Sequence, residues 1–115
     1  MRAKEAIQRA DALRMNALDE EQKAAWIYAL DGQLAEMLGV EPPVNDWPES
    51  EAELLIPFPH DEIYQLYLIC KIDYYNQEMA LYMNDLATYH AALAEAQAWW
   101  RRAHRPTSRK NWRVM

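Results

Sequence analysis

Ile63-Tyr64-Gln65-Leu66-Tyr67-Leu68-Ile69-Cys70-Lys71-Ile72-Asp73-Tyr74-Tyr75 is the stretch that decides the fold. Ten of these thirteen residues are apolar or aromatic; only Gln65, Lys71 and Asp73 are plainly polar. As a helix it is apolar nearly all round, and such a helix has to be covered on more than one face. A 115-residue chain has few places to do that, so the sequence predicts that another subunit covers the second face. Pro59 precedes the stretch, and His60 or Asp61 is the expected cap. Beyond it the heptad phase changes. Ile63, Tyr67, Cys70, Tyr74 and Leu81 follow one phase, whereas Tyr82, Leu86, Tyr89, Leu93, Ala96, Trp100 and Ala103 follow another. The slip at 82–85 predicts a turn or a stutter, with Asn84 as N-cap of a last helix over 84–104 that Pro106 ends.

Upstream, Ile7, Ala10 and Leu13 recur at helical spacing and predict a short helix over 2–14. Asp19 with Gln22 three residues on reads as a capping box, opening a second helix whose stripe is Ile27, Leu30, Leu34, Met37 and Leu38. Gly39 is a natural residue to end it. Gly32, inside it, costs about 1 kcal/mol relative to Ala and predicts a close helix crossing. Residues 40–59 hold five of the six prolines and five acids, and form an extended loop with Trp47 and Leu54-Leu55-Ile56 pinned down, the latter in a short strand. The expected architecture is all-α: about four helices in a domain over 1–104, a long Pro-rich acidic loop at 40–59 between helices 2 and 3, and a basic C-terminal tail over 105–115.

Composition agrees. Leu, Ile, Val and Phe total only 22 residues, and five Trp, seven Tyr and six Met make up the shortfall. Two glycines and few Val or Thr argue against a sandwich or barrel. No apolar stretch reaches the roughly 18 residues that span a bilayer, so no membrane partner is expected. The N-terminus lacks the apolar core of a signal peptide, and the single cysteine fits a reducing compartment.

The net charge of −6 hides a split. All eighteen acids fall within 1–100, whereas 101–115 carry six cations and no acid. A basic tail interrupted by Trp112 predicts docking on an acidic partner, through Arg105, Arg109, Lys110, Trp112 and Arg113. Nucleic acid is the alternative partner, although an acidic body disfavours broad phosphate binding.

Nothing points to catalysis. His60, His90 and His104 form no ligand pair of metal-site spacing. Cys70 lies in the most apolar stretch, as a small core residue would, and Ser50 and Ser108 have no triad context. The expectation is a non-enzyme with no catalytic, cofactor-binding or metal-binding residues. The aromatics are the anomaly. Tyr, Trp, Met and Arg enrich the anchoring centres of interfaces, and one core cannot accept both members of Tyr74-Tyr75 or of Trp99-Trp100, which point about 100° apart on a helix. Tyr64, Tyr75, Trp99 and Trp47 are the interface candidates, and the phase assigns Trp100 to the core.

Three segments together resemble a known family. They are Asn16-Ala17-Leu18-Asp19 with Lys23, Trp26-Ile27 and Leu30-Asp31-Gly32; Leu54-Leu55-Ile56-Pro57-Phe58-Pro59 running into Asp61-Glu62-Ile63-Tyr64 and Ile72-Asp73-Tyr74-Tyr75-Asn76; and Trp99-Trp100 before His104-Arg105-Pro106. The layout is similar to the small head–tail connector (adaptor) proteins of tailed bacteriophages and prophages. That resemblance implies a virion protein at the head–tail junction, in the host cytoplasm before assembly. It implies a homo-oligomeric ring, typically dodecameric, that docks on the portal protein after DNA packaging and receives a neck or tail-completion protein. DNA would pass through the lumen without sequence-specific binding, the tail would dock on the portal, and the 40–59 loop would sit at a subunit or lumen surface. The alanine-rich last helix departs from the pattern. A small helical regulatory or nucleic-acid-binding protein using the basic tail is the alternative.

Overall fold

A computed structural model describes residues 1–104 as four helices: α1 (Ala3–Leu13), α2 (Glu20–Leu38), α3 (Glu62–Tyr75) and α4 (Met79–Ala103). The expected all-α bundle, with its long loop between the second and third helices, is what the chain forms. The tail residues Arg105, Arg109, Lys110, Trp112 and Arg113 lie outside the described residues.

α3 is the centre of the bundle. It packs against α1, α2 and α4, and Ile63, Leu68 and Ile72 have no exposed surface. The chain itself therefore covers the faces that the sequence assigns to another subunit. α1 presents Ala3, Ala6, Ile7 and Ala10 to this core, a stripe of small side chains that lets the helix approach closely. Leu13, expected in the stripe, is exposed, because α1 stops there and Arg14 turns away in an extended conformation. α2 buries Ile27, Leu30 and Leu34, but Met37, the last residue but one of the helix, lies open. Gly39 ends α2 with φ 71°, a left-handed cap that a side chain would strain. No neighbouring atom lies within 4 Å of a Cβ placed at Gly32, so no close crossing explains that glycine.

Two other boundaries differ from expectation. The α3–α4 turn is at 76–78 and not at 82–85, and Asn84 lies inside α4. Gln77 takes a left-handed φ of 60°, and the backbone amides of Asn76, Gln77 and Glu78 fold back onto the last turn of α3. Asp19 does start α2, but its side chain makes no capping bond; the same holds for Asp61 at α3. The expected strand at 53–56 shrinks to one antiparallel bridge between Arg2 and Glu53.

The proline-rich loop is tied down by side chains. Asp46 Oδ2 accepts from the amides of Glu51 (2.8 Å) and Ala52 (3.0 Å). Ser50, buried, accepts from the Lys4 amide at 3.0 Å. Below it, Asp31 on α2 accepts from the Leu55 amide at 2.9 Å and from the Tyr64 hydroxyl at 2.5 Å, and that hydroxyl accepts from the Ile56 amide at 2.8 Å. Leu54 and Ile56 then fill the core beside α3.

Cys70 is 4% exposed, and burial first, then the Asp85 and Asp73 charges, push its thiol up to about 11. A thiol reagent is expected to label it about a hundredfold more slowly in the native chain than in urea. Comparable rates would place this face of α3 in solvent.

Candidate interaction surface

α1 and α3 run parallel and both end at the same pole, where α2 and α4 begin. The Asn76 side chain donates to the Met15 carbonyl at 3.0 Å and joins the two turns there. Among the described residues, seven of the eleven large apolar side chains that stay exposed sit at this pole, Met15 (92%) and Met83 (66%) being the most open. Scattered exposed apolar residues are ordinary; a contiguous group marks a contact surface.

Its aromatic part is ordered by ring contacts. Tyr75 stacks on Trp26 of α2 at 5.3 Å and meets Tyr74 edge-on at 5.4 Å, and Tyr74 meets Tyr82 at 5.6 Å. Lys71 Nζ lies 5.5 Å from the Trp26 ring and 5.6 Å from the Tyr67 ring, within cation–π range. Behind them, Tyr67 of α3 and Tyr89 of α4 approach to 5.4 Å and close one side of a cleft of about 380 Å³ between the two helices. Rings held by one another present large area without losing further freedom on binding, which favours them as anchors.

Beneath this surface lies a charge cluster that joins three elements. Arg14 donates from Nε to Asp73 Oδ1 at 3.0 Å and from a terminal nitrogen to Asp85 Oδ2 at 2.7 Å. Asp73 is 1% exposed, and its Oδ2 has no hydrogen-bond partner. Burial, then the neighbouring Asp85 carboxyl, push Asp73 up to about 6, against the pull of Arg14. A carboxyl raised above its unfolded value of about 4 contributes stability that is complete below that value and is lost as pH rises through about 6. Asp73→Asn, whose amide can donate to Asp85 at every pH, is therefore expected to exceed the native chain by about 1–2 kcal/mol near pH 8, and to lose that advantage near pH 5. Urea melts across this range check it; a difference that stays flat would contradict it.

The expected interface residues separate. Tyr75 lies on the apolar pole. Tyr64 does not face a partner: it has no exposed surface and is held by Asp31 and the Ile56 amide inside the core. Its position on α3 points inward at the loop, so that assignment is corrected. Trp47 is half-buried, packed on the core with Lys4 Nζ 5.7 Å from its ring; it fastens the loop. Trp99 and Trp100 are both half-buried at the opposite pole. Trp100 packs against the core and stacks on His104 at 3.9 Å, whereas Trp99 leans on His60 at 5.1 Å. Trp100 is thus a core-edge residue, less enclosed than the heptad phase implies. The sequence reading did not single out Tyr74, Met79, Met83 or the Arg14–Asp73–Asp85 cluster; the adjacent pair Tyr74-Tyr75 on a helix was the one available sign.

Among the described residues no group of three His, Cys, Asp or Glu side chains is placed to hold a metal ion, and no helix is long and apolar enough to cross a membrane. No family model, no curated protein and no solved structure matches the chain.

Proposed function

We propose that this chain is a structural subunit of a phage head–tail connector: a homo-oligomeric ring, dodecameric in the virion, that docks on the portal after DNA packaging and joins head to neck or tail. The observation that carries the assembly part is the pole of exposed Tyr and Met side chains, a surface whose composition is that of protein interfaces. The connector part rests on the similarity of layout in the loop, the start of α3 and the paired tryptophans. Residues 105–115, with four cations and no acid, supply the portal-docking segment, and DNA passes through the lumen without base readout. No catalytic step is assigned to any residue, and no cofactor.

The charge split favours one second reading, a small regulatory or nucleic-acid-binding protein that uses its basic end. Co-sedimentation of the chain with purified portal rings, run beside a gel shift on duplex DNA at two salt concentrations, separates them. The connector reading expects portal binding that is lost on removing 105–115, and no DNA shift at physiological salt. A salt-sensitive DNA shift without portal binding favours the second reading.

A further inference from the structure

The cleft between α3 and α4 is lined by the rings of Tyr67, Tyr74, Tyr75, Tyr82 and Tyr89, with Leu86, Cys70 and Lys71. Its volume of about 380 Å³ lies at the low end of the roughly 300–1,000 Å³ of small-molecule sites. Two of its residues make it more than a gap between helices. Tyr89 is 7% exposed and lines the cleft. Among the described residues, only the hydroxyls of Tyr28 and Tyr64 have hydrogen-bond partners, so that of Tyr89 has none. A polar group on so buried a side chain calls for a partner, and the cleft is where one can enter. Burial first, then Tyr67 and Cys70, push the Tyr89 hydroxyl up to about 12, so it stays a donor throughout the neutral range. Lys71 is the only charged residue of the lining. It makes no ion pair among the described residues, and its ammonium rests over the Trp26 and Tyr67 rings. Asp73 and Asp85 hold Arg14 instead, and neither lines the cleft.

We infer that the α3–α4 cleft binds a small aromatic acid, a flat ring system carrying one carboxylate. The tyrosine faces and edges receive the ring, since aromatic groups favour offset or edge-on contact with one another. The carboxylate takes the Lys71 ammonium, and the tyrosine hydroxyls, Tyr89 above all, supply further donors. No carboxylate of the lining opposes it. A cationic guest is the poorer one, although aromatic cages suit ammonium groups. Lys71 Nζ already lies 5.6 Å from the Tyr67 ring, and a second positive charge beside it is repelled. An uncharged ring forgoes the ion pair. Tyr74 and Tyr75, each about half exposed, leave one side of the cleft open for entry. The site lies within one copy, so it goes beyond the ring reading and does not need it.

NMR chemical-shift titrations of the full chain with four probes test this. Naphthoate has the flat rings and the charge. Naphthylmethanol drops the charge, cyclohexanecarboxylate drops the flat rings, and naphthyltrimethylammonium reverses the charge. Naphthoate is expected to saturate one site per chain, with shifts centred on Lys71 and Tyr89 and a Kd of about 1 mM or tighter, ordinary for so small a ligand. The other three are expected to bind at least about tenfold more weakly. Lys71→Gln is expected to weaken naphthoate at least about tenfold and to leave naphthylmethanol within about twofold, a split that mere loss of packing does not give. Tyr89→Phe keeps the ring and is expected to weaken naphthoate about three- to tenfold. Lys4→Gln, at the lysine over Trp47 on the loop, is expected to change nothing. Far-UV circular dichroism checks that each variant keeps native helicity. The inference is overturned if naphthoate finds no saturable site up to about 10 mM, if the uncharged or cationic probe binds as tightly, or if Lys71→Gln leaves naphthoate binding unchanged. Portal co-sedimentation is scored separately: its failure with naphthoate bound refutes the connector reading alone, and portal binding without a naphthoate site refutes only this one.

Discussion

Asp31→Ala is expected to lower stability by about 3–5 kcal/mol, because it strips the acceptor from the buried Tyr64 hydroxyl and the part-buried Leu55 amide at once. Asp31 is 2% exposed, and its oxygens take the Tyr64 hydroxyl and the Leu55 amide. The Tyr64 hydroxyl, with no exposed surface around it, cannot turn to water. Burial raises the Asp31 carboxyl above its ordinary value, while the Tyr64 hydrogen bond and the Leu55 amide oppose that rise. For a domain whose total stability is about 5–15 kcal/mol, the loss approaches unfolding. It also releases the anchor between α2, the loop and α3. Tyr64→Phe is the milder comparison: it leaves Asp31 its Leu55 amide and orphans the Ile56 amide, for about half the effect. Equilibrium urea melts measure both. An Asp31→Ala change of less than about 1 kcal/mol would mean that the loop is not held from below.

Leu68→Ala carries the second large effect. Leu68 has no exposed surface and sits midway along α3, the helix that packs against α1, α2 and α4. Truncating a fully buried side chain removes its burial and leaves a cavity, and the expected loss is about 3–5 kcal/mol. Met83→Ala, on the exposed turn pole of α4, is the contrast and should stay within about 0.5 kcal/mol. Similar losses at both positions would place Met83 in a packed environment and remove the argument for an open surface.

The helical fold was legible because the signals that mark it are local. An apolar stretch at 63–75 can only be a central element, Gly39 can end a helix where other residues strain, and five prolines keep 40–59 from becoming one. The α3–α4 turn was missed because Asn76-Gln77-Glu78 holds neither Gly nor Pro. Gln77 takes a left-handed conformation as the chain folds back onto the last turn of α3, and the heptad spacing of Tyr67, Tyr74 and Leu81 runs straight through it. The buried acids were hidden in plain view. Asp31 stands between Leu30 and Leu34 on the apolar stripe of α2, and Asp73 one place after Ile72; an acid on a buried face predicts a partner, but its identity depends on which elements meet. Tyr64 shows the same limit. Its residue type fits an interface or a core, and only the arrival of the loop above it decides. The turn pole was half legible: Tyr74-Tyr75 cannot both point inward, whereas its enlargement by Met15, Met79 and Met83 needs the turns to be brought together.

The most direct test of the central claim, that the chain is a ring-forming subunit seated on the portal, is the stoichiometry of its complex with portal rings by native mass spectrometry. The account predicts one closed ring per portal, with as many copies of this chain as the portal has subunits and no partly filled species in quantity. A portal that takes up single copies in a statistical distribution, or none, would contradict it.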